Sequence, residues 1–124
     1  MSDSLQGKAI LLAESACFIG AELAEDLIAR GGVPIGPVAD LAAALLLVEH
    51  EQLDAAVISL TLKDQSSQPV ADCLNERGIP YVILTAHNRR DAGSDHGGAP
   101  VLSKPISTER VFAEMERLLI EGAS

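Results

Sequence analysis

The sequence predicts an α/β fold, with a five-stranded parallel sheet between two layers of helices in a single domain of 124 residues. Three observations predict it. Strand-like and helix-like segments alternate five times along the chain. The strand-like runs are apolar throughout rather than every second residue, the pattern of strands covered on both faces. Glycine and proline stand where helices should stop or start. The length is that of one compact domain, which centres on about 100–150 residues, and 48% apolar residues suffice for one core.

Each element follows from local chemistry. Lys8–Ala13 is a short apolar run and the first strand. A helix from Cys17 to Arg30 has Phe18, Ile19, Leu23, Leu27 and Ile28 recurring at three- and four-residue steps, and Gly31-Gly32 ends it. Val33–Val38 is a weaker strand whose Pro34 and Pro37 suit an edge. Asp40 can cap a helix running through Leu41, Leu45, Leu46 and Val48 to about Glu51. Leu53–Leu60 is a third strand, Thr61–Gln68 a polar loop, and Pro69 opens a helix that reaches Arg77 and stops at Gly78. Ile79–Leu84 is rich in β-branched residues and makes a fourth strand. Ala86–Pro100 holds four glycine or proline breakers and few apolar residues, and is expected to be a loop with at best one helical turn. Val101–Ser103 is a brief fifth strand. Ser107–Ile120 is an amphipathic helix with Ser107 or Thr108 near its cap and Val111, Met115, Leu118 and Leu119 inward.

Charge and composition exclude several functions. Nine basic against eighteen acidic residues leave a net charge of −9, a poor match to nucleic acid or an anionic membrane. Aromatics are 2%, too few for base stacking. No apolar run approaches the roughly 20 residues that cross a bilayer, and MSDSLQGK lacks the features of a secretory signal, so a cytoplasmic location is expected. Cys17 and Cys73 show no metal-ligand spacing and are expected to be half-buried thiols. His50, His87 and His96 do not cluster with acids. Arg89-Arg90 is either a solvated turn or a contact for a partner's acidic edge. Gly31-Gly32 follows a helix instead of preceding one, and Glu14–Gly20 has the wrong composition for a phosphate loop, which weakens the alternative of a flavodoxin-like cofactor binder.

A parallel sheet of this size fits a flavodoxin-like three-layer sandwich of strand order 2-1-3-4-5, in which function gathers at the carboxyl ends of the strands. Those ends carry Glu14 and Ser15, Ser59, Thr85 with Ala86, and Ser103 with Lys104. Ile83–Ala86 (ILTA), Ser103–Pro105 (SKP), Leu53–Ser59 (LDAAVIS) and Pro69–Ala86 together resemble the receiver domains of bacterial two-component response regulators, over about Lys8 to Ile120. The Pro69–Ala86 segment is similar to a subgroup of small alphaproteobacterial receivers. The resemblance implies an acidic pair after the first strand, a phosphoacceptor Asp ending the third, Thr or Ser ending the fourth, and Lys-Pro, commonly cis, after the fifth.

The departures from that pattern carry the functional expectation. Ser59 stands at the acceptor position. Of the acidic pair, Glu14 is kept and the second acid, the direct Mg²⁺ ligand, is Ser15. The switch aromatic three residues before the lysine is Val101. Aspartyl phosphorylation needs a carboxylate nucleophile and a divalent cation held by oxygen ligands. Mg²⁺ binding is therefore expected to be weak or absent, with no other cofactor and no catalysis. Glu14 is either a remnant or an ion-pair partner for Lys104 at an adjacent strand end. Thr85 and Lys104 occupy the switch positions and can be functional or structural. The resemblance implies a histidine kinase, phosphotransfer protein or other two-component regulator as partner, in an adaptor role within a phosphorelay; oligomeric state is left open. The alternative is a conventional receiver using Asp64, five residues past Ser59, as a displaced acceptor.

Overall fold

The computed structural model describes residues 5–86, 99–105 and 107–123. Five parallel strands form the central sheet: β1 (Ala9–Ala13), β2 (Val33–Val38), β3 (Ala55–Ser59), β6 (Tyr81–Thr85) and β7 (Val101–Ser103), in the order β2-β1-β3-β6-β7. Numbering the five by appearance gives 2-1-3-4-5, the expected flavodoxin-like topology. Between β3 and the next helix the polar segment folds into a small antiparallel hairpin, β4 (Thr61–Leu62) with β5 (Gln65–Ser66). The polarity of Thr61–Gln68 predicts a plain loop there instead. The hairpin turns through Lys63 and Asp64, both at positive φ (49° and 67°), without the Asn-Gly signal that marks such turns in a sequence.

Strand alternation sorts the core into two faces. Ile10 and Leu12, Ala55 and Val57, and Val82 and Leu84 pack with Leu23 and Leu27 of α1 (Cys17–Ala29) and Val111, Phe112 and Met115 of α4 (Thr108–Ala123). Leu11 and Ala13, Ala56 and Ile58, and Tyr81 and Ile83 pack on the other face with α2 (Leu41–His50) and α3 (Gln68–Glu76). Both sets are buried, so β1, β3 and β6 are apolar at successive positions.

Helix ends follow the expected chemistry. Asp40 Oδ1 accepts the Ala43 N–H at 2.8 Å, Pro69 lies in the first turn of α3, and Ser107 Oγ accepts the Arg110 N–H at 3.4 Å. Gly31 and Gly78 take positive φ just past α1 and α3.

Burial corrects two expectations. In α1 the inward arc is Gly20, Leu23 and Leu27, whereas Phe18 and Ile28 are exposed. Each lies five residues from Leu23, about 140° round the helix at 100° per residue. Cys17, at the start of the same helix, is exposed, and only Cys73 is half-buried. The breaker-rich stretch with His87, His96 and Arg89-Arg90 lies outside the described residues. Among the described residues no helix is long and apolar enough to cross a membrane.

Candidate functional site at the carboxyl edge of the sheet

Register brings the candidate residues to one edge. Ala13 is level with Ile58, Ser59 with Leu84, and Thr85 with Ser103, so Glu14, Ser59, Thr85 and Lys104 end their strands side by side. Glu14, Ser59 and Lys104 continue the alternation on the α1–α4 face, while Thr85 continues that of the α2–α3 face. Glu14, Ser59 and Thr85 are buried, and Ser15 is half-buried.

Lys104 organises the site. Its Nζ pairs with Glu14 Oε1 at 2.9 Å and donates to Ser59 Oγ at 3.2 Å. Its backbone N–H donates to the Thr85 carbonyl at 2.7 Å, extending the β6–β7 ladder past Ser103. The Lys104–Pro105 bond is cis, as the resemblance implied, and Gly36–Pro37 is cis as well. The strands that carry Glu14 and Lys104 are not adjacent, contrary to the sequence expectation, because β3 and β6 lie between them. Three strand spacings of about 4.8 Å separate the two backbones by roughly 14 Å, so the pair closes only by the reach of two long side chains. They meet above Ser59, which has no carboxylate to repel one or attract the other.

Glu14 is committed on both oxygens. Its Oε2 accepts the Ala16 N–H at 2.8 Å, fixing the entry to α1. Its Oε1 is buried and held by charge alone, since it accepts no well-directed hydrogen bond among the described residues. The Ser15 hydroxyl makes no hydrogen bond among them. Among the described residues neither a carboxylate nor an imidazole bonds to Ser59, and its hydroxyl has no general base among them. Among the described residues no three His, Cys, Asp or Glu side chains gather as a metal site would require. Asp64 is exposed at the hairpin turn, beyond the sheet edge. Val101 is half-buried against the α2–α3 face of the core.

The surface beside this cluster is not among the sequence expectations. Phe18, Ile19, Glu22, Ala86, Lys104 and Pro105 line a groove of about 440 Å³. Its one signal in the sequence was the wheel position of Phe18, off the arc set by Leu23 and Leu27.

No protein-family model matches the sequence, and no curated protein matches it. Solved structures do. The chain is 32% identical to SdrG from Sphingomonas melonis, with a TM-score of 0.73, over 93% of this chain and 98% of that one. It superposes on the response regulator receiver protein from Sinorhizobium medicae with a TM-score of 0.82 at 19% identity, over 95% and 98% of the two chains. The receiver domain of the PhyR response regulator from Erythrobacter litoralis gives 0.81 at 20% identity, over 94% and 93%. With the sheet order, the Lys104-Pro105 pair after β7 and these likenesses together, the chain belongs to the receiver domains of two-component response regulators.

Proposed function

We propose that this receiver is degenerate: a protein-binding adaptor in two-component signalling that is not switched by aspartyl phosphorylation. One observation carries the reading. At the end of β3, where a receiver presents its acceptor carboxylate, the Ser59 hydroxyl is held by a lysine whose charge Glu14 already neutralises. A phosphoryl group would find no carboxylate nucleophile there and no unengaged ammonium. The donor set does not fit Mg²⁺ either. A hard cation seeks several oxygens, mostly anionic, and Glu14, the one carboxylate at the site among the described residues, is tied to Lys104 and the Ala16 N–H. Asp64 is exposed at a hairpin turn, and the side-chain partners of Lys104 are Glu14 and Ser59, which weighs against a displaced acceptor. Partners are then the proteins a receiver meets, namely a histidine kinase, a phosphotransfer protein or another two-component regulator, and the chain is not an enzyme.

The test is intact-mass spectrometry after incubation with acetyl phosphate and Mg²⁺. Wild type should gain no phosphoryl mass, and Ser15→Asp with Ser59→Asp should gain one. A phosphoryl adduct on wild type would sink the reading, and its loss in Asp64→Asn would install the displaced acceptor.

A further inference from the structure

We propose that the outer face of α2 pairs with the same face of a second copy of this chain, the two helices running antiparallel about a two-fold axis. Eight of the ten residues of α2 are apolar, from Leu41 to Val48, yet only Ala44 and Val48 are buried. A helix that is apolar on every side is normally covered on every side. Leu46 is instead 56% exposed. Ala42 is exposed one turn before it, and Leu45 and Leu47 are half-buried on its two flanks. The other helices meet water with charge: Glu22 and Glu25 on α1, Asp72 and Glu76 on α3, Arg110 and Arg117 on α4. Along α2 the ionisable groups stand only at the ends, Asp40 as the cap and Glu49 beside His50.

Charge and shape identify what covers this face. The chain carries −9, so two copies meet net repulsion from most directions. The middle of α2 is where they approach with the fewest carboxylates facing one another. A different protein would be steered and selected by charge, and this stretch offers none to read. The shape is self-complementary. The face has one large exposed side chain, Leu46, and one small one, Ala42, four residues apart on a single line. A two-fold axis at the level of Ala44 sets each Leu46 against the other copy's Ala42, so large meets small twice. The antiparallel arrangement also places the two helix dipoles head to tail.

The contact is small. Ten residues of helix are about 15 Å long and cover at most a few hundred Å² per copy, below the roughly 800 Å² per partner of a standard interface. At each end the capping Asp40 of one copy approaches Glu49 and His50 of the other, which adds to the repulsion between the chains. The dimer is therefore weak, forms at high concentration, and tightens when salt screens that repulsion.

Sedimentation equilibrium from micromolar to millimolar concentration tests this, in about 0.1 M and about 1 M salt, where the screening length is roughly 10 and 3 Å. The chain should pass from monomer to dimer as concentration rises, and more readily at the higher salt. Leu46→Glu, at an exposed position, should weaken association about tenfold or more. Ile120→Glu, on the 61% exposed apolar residue of α4, should leave it unchanged. Mixing Ala42→Cys with Leu46→Cys under mild oxidation reads the register, each variant also carrying Cys17→Ser and Cys73→Ser to remove the two native thiols. The mixed disulfide should form faster than either like pair. A chain that stays monomeric at millimolar concentration overturns the proposal and leaves the face to a different protein. A dimer that Leu46→Glu leaves intact, that Ile120→Glu dissolves or that salt dissociates overturns it too, as does cross-linking with no preference for the mixed pair. None of these outcomes depends on whether Ser59 or Asp64 accepts a phosphoryl group, so the adaptor reading stands or falls separately.

Discussion

Glu14 and Lys104 span the sheet edge together, and the pair is asymmetric: the glutamate side chain is 1% exposed and the lysine 21%. Removing one partner of a buried pair strands the other charge, at a cost of about 3–5 kcal/mol when both are dry. Water reaches the lysine and screens part of this, so Lys104→Met should cost about 2 kcal/mol in urea unfolding. Adding Glu14→Gln should return most of that loss, a coupling that a double-mutant cycle reads directly. If Lys104→Met cost no more than a surface substitution, the pair would be solvated and not a fixture of the site. Tyr81 offers a second single-residue test. Burial against the α2–α3 face raises its phenol above the ordinary value of about 10; the N–H of Asn75 Nδ2, donated to Oη at 3.0 Å, opposes this, and the Asp72 charge adds to it. The folded state thus favours the protonated phenol. Its contribution to stability is intact below pH ~10 and is lost as pH rises through the higher folded-state value. Tyr81 is the only tyrosine and there is no tryptophan, so tyrosinate absorbance follows this residue alone. Its midpoint should lie above that of the urea-unfolded chain, and Asn75→Ala should move it higher still. A folded midpoint at or below the unfolded one would contradict the burial.

β2 shows how an element is shaped by a few backbone positions. Among the described residues it pairs only with β1, and its open side is blunted by Pro34 and Pro37, which lack N–H donors and discourage strand addition. The β1–β2 register shifts between Leu11 and Ala13, and Gly36 absorbs the change at φ +104°. A Cβ there would lie 2.9 Å from both the Leu12 oxygen and the Val38 nitrogen. Because backbone atoms cannot move aside as a side chain can, Gly36→Ala should destabilise by more than about 2 kcal/mol. Gly78 is the control: its φ is also positive, but nothing lies within 4 Å of an added Cβ. Gly78→Ala should cost only the left-handed penalty of about 1 kcal/mol, and equal losses at the two positions would refute the close-approach argument. The central strands were legible because both their faces are buried, which writes an unbroken apolar run into the sequence. β4 and β5 were not, because two-residue strands of mixed polarity around Lys63-Asp64 carry no period. Phe18 and Ile28 fit a three- and four-residue count yet face water, since that count admits positions well off the arc held by Leu23 and Leu27. The places of Glu14, Ser59 and Lys104 could be read by counting from strand ends. Their union across two intervening strands could not, because it depends on strand order and side-chain reach.

Across the whole molecule the candidate site and the proposed readout position belong to different faces of one sheet. Glu14, Ser59 and Lys104 project on the α1–α4 side, while Val101 packs against the α2–α3 core. A receiver couples the two by a Thr that follows the phosphoryl group and an aromatic that moves into the space it leaves. Here Thr85 is in place and buried, but Val101 is too short to change position by more than a rotamer flip. Chemistry and transmission should therefore be separable. Ser15→Asp with Ser59→Asp supplies the missing carboxylates, and competes with Glu14 for Lys104, so this variant should bind Mg²⁺ and accept a phosphoryl group. A conformational change needs a second state whose contacts the phosphoryl group favours, and with valine at 101 such a state gains little. Amide spectra of the phosphorylated double variant should thus change near residues 14, 59, 85 and 104 and stay fixed at Val101 and in α3. Adding Val101→Tyr should extend the changes to β7, because the larger ring has two distinct places to pack. If the double variant alone already produced shifts along β7 and α3, transmission would run through the backbone of β6 and β7 and would not depend on the residue at 101.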